Sequence, residues 1–92
     1  MTAPTSARQE RGDAVRRDLM SFLEQRTKRA VAADVDLFAA GLVSSLFALE
    51  LVMHLEQSFG VTVAGPDLTL DNFRTVEAMT ALVLRLGGDG SE

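Results

Sequence analysis

The chain has 92 residues, a formal net charge of −4, 47% hydrophobic residues and no Cys, Trp or Tyr. That length holds one small domain with a thin stability margin, and the lack of Cys excludes a disulfide framework and any thiolate metal site. Charge is uneven: residues 1–29 carry seven Lys/Arg against four Asp/Glu, and residues 30–92 carry two against nine. An acidic body of this kind disfavours nucleic acid and anionic membrane surfaces and favours basic protein partners.

Residues 1–11 are small, polar and charged, with Pro4, and are expected to be a disordered tail. They lack the apolar segment of a secretory signal, and no apolar run approaches a membrane span. A cytoplasmic protein without membrane attachment is therefore expected. The folded domain is expected over residues 12–87, with a second disordered tail over 88–92. Helical spacing of Val15, Leu19, Phe22 and Leu23 predicts a first helix over 13–28, with Asp13 as its N-cap. A long connection follows, with Leu37 and Phe38 as apolar pins and Gly41 as a turn before the next helix. The second helix is predicted over 45–59, ending at Gly60. Val61 and Val63 alternate with polar residues but have no second strand to pair with, so they are read as loop residues on the core. Residues 71–74 form at most one short helical turn. Thr75 then caps a last helix over 76–86, with Val76, Met79, Val83 and Leu86 on one stripe and Glu77 suiting its dipole. Glycines at 87, 88 and 90 end it. The expected fold is all-α, a small bundle of three to four helices whose long loops cross the bundle.

The second helix has two apolar sides. At about 100° per residue, Ala48, Leu51, Val52, Leu55 and Phe59 form a core stripe. Leu46, Glu50, Met53 and Gln57 share the opposite face, with Phe47 and Leu49 on its flanks. Two readings stand. Leu46 and Met53 pack beneath the long loop, or they form a partner surface, where a flexible Met and a steering acid are at home. Two serines open this helix although one cap is enough. Its N-terminus favours a phosphate. The single histidine, His54, lies more than two turns from Ser45, out of hydrogen-bond reach, and a Ser-His-Asp arrangement is therefore taken as excluded. With no Cys and no second His there is no metal candidate. His54 is read as a surface helix residue.

The stretch SSLFALELVMHLEQSF resembles the phosphopantetheine attachment region of acyl carrier proteins. Ser45-Leu46, Glu50-Leu51-Val52-Met53, Glu56 and Phe59 stand in the family's order. Asp36-Leu37-Phe38 with Gly41 resembles the preceding loop, and Phe73, Thr75 and Val76 resemble the start of the last helix. The likeness covers residues 13–86. One position departs: Ser44 stands where the family usually has Asp, and the register set by Leu46 and by residues 50–53 selects Ser45 as the modified serine.

The resemblance implies an acyl-carrier-protein-like fold, with 4′-phosphopantetheine attached covalently to Ser45 and its thiol holding an acyl group as a thioester. It implies no catalytic and no metal-binding residue, since the carrier presents its cargo and is not an enzyme. It implies a docking face of Leu46, Leu49, Glu50, Met53, Glu56 and Gln57. The partners implied are a phosphopantetheinyl transferase and acyl-loading, tailoring and acyltransferase or synthase enzymes, met by a monomer. The stretch GLVSSLFALELV looks most like stand-alone carriers of polyketide or antibiotic pathways, including those that hold unusual malonyl-type extender units. The rivals are an aminoacyl or peptidyl carrier of a peptide synthetase pathway and an unmodified helical adaptor in which Ser45 is a plain cap.

Overall fold

The computed structural model describes residues 7–87. In chain order it contains α1 (Ala7–Thr27), α2 (Ser45–Phe59), a 3₁₀ turn (Gly65–Asp67), α3 (Leu70–Phe73) and α4 (Val76–Leu86), and no strand occurs among the described residues. The all-helical bundle with long connections matches the expectation, and no described helix is long and apolar enough to cross a membrane.

The bounds of α2 and α4 coincide with the predicted ones because both helices carry their stop signals locally. Ser44 accepts a hydrogen bond from Phe47 N, and Gly60 closes α2 at φ 69°, in the left-handed region where a side chain is strained. Thr75 accepts from Ala78 N at the start of α4. Two helix boundaries differ from expectation. The first helix begins at Ala7, not Asp13, so residues 7–11 of the expected tail are helical; residues 1–6 and 88–92 lie outside the described residues. Asp13 is consequently no cap. It pairs with Arg16 at 2.7 Å, and Arg16 reaches on to Glu77 of α4 at 2.9 Å. The short helix runs over Leu70–Phe73 because Thr69 caps it, its hydroxyl accepting from Asn72 N.

The core is one cluster. Val15, Leu19 and Leu23 of α1, Leu51 and Leu55 of α2, and Val76, Met79, Leu82 and Val83 of α4 are buried in it. The helix α1 packs chiefly on α4. Gly12 lies in that contact: a Cβ there would stand at ordinary packing distance, 3.6 Å from Leu84 Cδ1 and 3.8 Å from Thr80 Cγ2. Val61 is buried and Val63 half-buried without strand pairing, as read from the sequence.

The α1–α2 connection is pinned rather than loose. Leu37 is fully buried, its N–H donates to Arg74 O, and its carbonyl accepts from Leu42 N and Val43 N. Asp36 Oδ1 accepts from Phe38 N and Ala39 N, while Arg74 Nη1 donates to Asp36 Oδ2. Gly41, at φ 75°, supplies the turn that delivers the chain to Ser44. The loop that leads into α2 is thus tied to Arg74, between α3 and α4.

Candidate functional site

The two serines at the head of α2 are not equivalent. Ser44 sits in an extended conformation (φ −101°, ψ 173°), and its Oγ accepts the Phe47 N–H at 3.2 Å. Ser45 is the first helical residue, exposed, and no described residue bonds its hydroxyl. The first turn of α2 carries no acid, so the unpaired N–H groups and the positive end of the helix dipole are not neutralised by the chain itself. A phosphodiester on an exposed hydroxyl at this point meets a favourable field and no competing carboxylate.

Beside Ser45 lies a cleft of about 210 Å³ between α2 and α3, lined by Phe38, Ala48, Leu49, Val52, Leu70 and Phe73 among others. Its walls are apolar apart from Ser45 and Thr69. Leu68 and Leu70 on its rim stay 49% and 56% exposed. They belong to a surface that sequence periodicity missed, because they sit in an irregular segment with no repeating spacing.

The opposite-face residues of α2 stay at the surface. Leu46 is 73% exposed, Leu49 58% and Met53 57%, so neither Leu46 nor Met53 packs beneath the loop. Leu51 and Leu55 are fully buried. Glu50 and Gln57 are exposed, and Glu56 is half-buried. The acids of this helix are not free. Glu50 Oε1 meets Arg26 Nη2 of α1 at 2.6 Å, and Glu56 Oε2 accepts the Val63 N–H at 2.9 Å.

His54 differs from its reading as a surface residue. It is half-buried, stacked on Phe22 of α1 at 4.0 Å between ring centroids, edge-on to Phe59, and its Nε2 lies 2.6 Å from Asp18 Oδ2. Its partners come from 32 and 36 residues away in the chain, so only the folded packing shows them. Its i+3 position from core Leu51 is the one sequence signal that pointed inward. Ser58 Oγ stands 3.4 Å from His54 Nδ1. This places Ser58, His54 and Asp18 in the order of a nucleophile relay. The arrangement lacks the other parts of one: the Ser58 contact is long, the serine and histidine are neighbours one turn apart on the same helix, and the surrounding backbone N–H groups are tied up in the helix ladder and offer no oxyanion site. The described residues contain no group of His, Asp and Glu that could hold a metal ion.

A family model for the phosphopantetheine attachment site matches residues 13–83. The chain belongs to that family. No curated protein matches it. Phosphopantetheine-attachment domains are carriers and not catalysts, and they hold 4′-phosphopantetheine covalently. The described residues form the small helical bundle that such a carrier has. Carriers of this family work with a phosphopantetheinyl transferase and with enzymes that handle the bound acyl group. The matched span runs from the second turn of α1 to near the end of α4, so the family assignment covers the fold described above and not a fragment of it.

Proposed function

We propose that Ser45 is the attachment residue and that the chain carries acyl groups of polyketide type, an unusual malonyl-type extender unit among them. The observation that carries this reading is the division of labour at the head of α2. Ser44 supplies the cap, which leaves the Ser45 hydroxyl exposed and unbonded in an acid-free first turn. The prosthetic arm supplies the thiol on which the acyl group is held as a thioester. Ser45 and the α2 N–H groups fix the phosphodiester end of the arm, and the cleft walled by Leu49, Val52, Leu70 and Phe73 offers apolar cover to whatever portion folds back. Leu46, Leu49, Glu50, Met53, Glu56 and Gln57 present the docking face to a phosphopantetheinyl transferase and to acyl-loading, tailoring and synthase enzymes in turn. Weak, small interfaces suit a monomeric carrier that must release each partner.

The likeness of residues 41–52 to polyketide carriers and the neutral Gln57 on the docking face support the cargo assignment over a highly acidic fatty-acid carrier. The test is loading. The holo protein, prepared with coenzyme A and a broad-specificity phosphopantetheinyl transferase, is offered malonyl-type acyl-CoA with an acyltransferase, and separately amino acids with adenylating enzymes. Acylation by the malonyl-type donor is expected. Aminoacylation alone would move the assignment to a peptide synthetase pathway, and loading of neither on a fully modified protein would remove both cargoes.

A further inference from the structure

The acid at the centre of the docking face is occupied. Glu50 lies among Leu46, Leu49 and Met53, and Arg26 reaches across from α1 to pair with it at 2.6 Å. The same guanidinium lies 5.2 Å from the Phe22 ring centroid and 5.7 Å from that of Phe47. It is therefore fixed by two aromatic faces as well as by the carboxylate, which lowers the entropy of keeping it there. The only other acid of α2, Glu56, holds the Val63 N–H. Nearby, Asp18 pairs with His54 and Asp71 with Arg74. Among the described residues the face of α2 thus shows three large exposed apolar side chains, with Leu68 and Leu70 beyond the cleft, and both of its carboxylates have partners.

We propose that Arg26 is a specificity-determining residue of this face: by masking Glu50 it selects partner enzymes whose complementary surface is apolar and lacks a basic anchor. This inference rests on the carrier reading and adds the chemistry of the partner. Charge complementarity sets the occupant. A Lys or Arg of a partner brought to Glu50 would meet the Arg26 guanidinium, a like charge, and would have to displace it from both rings. An apolar partner surface meets a pair that is already neutral and buries Leu46, Leu49 and Met53 at no electrostatic cost beyond desolvating that pair's rim.

The test measures the KM of the carrier for a broad-specificity phosphopantetheinyl transferase across a range of ionic strength. It compares the wild-type chain with Glu50→Gln, Arg26→Met and the double variant. Mass gain on the wild type tests the carrier reading separately: without it, that reading fails and this proposal with it. With it, the expected results are a KM that changes less than about twofold with salt, since a neutral pair has no net charge to screen, and a raised KM for Glu50→Gln, which leaves the Arg26 guanidinium uncompensated against the same apolar surface. Arg26→Met, which leaves Glu50 uncompensated against an apolar surface, should raise KM on the order of tenfold, and adding Glu50→Gln should restore it. Arg26 and Glu50 are both about half exposed, so folding is expected to survive and is checked by circular dichroism. If Arg26→Met fails to fold, the double variant and the salt series still decide. A steeply salt-dependent wild type, a double variant that stays impaired, or a lower or unchanged KM for Arg26→Met would each overturn the proposal.

Discussion

The division of α2 into a buried and a presented face makes Leu51→Ala and Met53→Ala a decisive pair. The two residues are two positions apart on one helix, and both lose most of a side chain of similar size. Leu51 is fully buried in the core cluster. Its truncation removes buried methyl groups and leaves a cavity, a change that costs about 2–5 kcal/mol. A domain of this size has only about 5–15 kcal/mol in hand, and each kcal/mol moves the midpoint of a small domain by about 4–8 °C. The melting temperature should therefore fall on the order of 10–30 °C. Met53 keeps 57% of its surface in water. Truncation there forfeits less than half of the about 1.5–3 kcal/mol that full burial of such a side chain contributes, and Ala is the slightly better helix former. A loss of about 1 kcal/mol or less is expected, together with slower transfer to partner enzymes. Thermal and urea melts followed by far-ultraviolet circular dichroism suit a chain with no Trp or Tyr. Equal destabilisation by the two substitutions would refute the two-face reasoning, as would a Met53→Ala protein that is both stable and unimpaired in every transfer.

Other substitutions probe how the site is held. Ser44→Ala removes the cap on Phe47 N and should cost about 1 kcal/mol while leaving phosphopantetheine loading intact, as read by a melt and a mass spectrum of the same sample. Gly60→Ala meets no neighbouring atom but forces a Cβ onto φ 69°; a loss of about 1–2 kcal/mol is expected, and an unchanged melting temperature would contradict the left-handed cap. The Asp36 carboxyl is held below the ordinary carboxylate range, chiefly by the Ala39 N–H, with partial desolvation opposing and then the charge and hydrogen bond of Arg74 and the Phe38 N–H assisting. Because the folded-state value is depressed, this contribution is present above the unfolded-chain value of about 4 and is lost as pH falls through the lower folded-state value. Stability should thus decline on the acid side below about pH 4, and Asp36→Asn should flatten that decline in a series of melts against pH.

The parts of the fold that are written locally were legible from residues alone. The bounds of α2 and α4 follow from Ser44, Gly60 and Thr75, which act within one turn of where they stand. Helical period places Leu46 and Met53 opposite Leu51 and Leu55, but it leaves open whether they pack beneath the loop, and only the fold shows them exposed. What escaped depends on distant partners. The first turns of α1 carry no apolar stripe, and they are helical where Gly12 lies against Leu84 and Thr80, more than sixty residues away. His54 is drawn inward by Phe22 and Asp18. Glu50, which periodicity leaves as a free acid, is claimed by Arg26. No local pattern encodes these pairings, because each depends on how α1 lies against α2 or α4 in the folded bundle.

The most direct test of Ser45 as the attachment point is an intact mass after incubation with coenzyme A and a phosphopantetheinyl transferase, for wild type, Ser45→Ala and Ser44→Ala side by side. Variants are needed because both serines fall between Arg29 and Arg74, with no Lys or Arg between, so one tryptic peptide contains them both. The account predicts a gain of one phosphopantetheine on the wild type and on Ser44→Ala, and none on Ser45→Ala. A gain that persists in Ser45→Ala and vanishes in Ser44→Ala would contradict it by placing the arm on the capping serine, and no gain on folded wild-type protein would leave an unmodified helical adaptor.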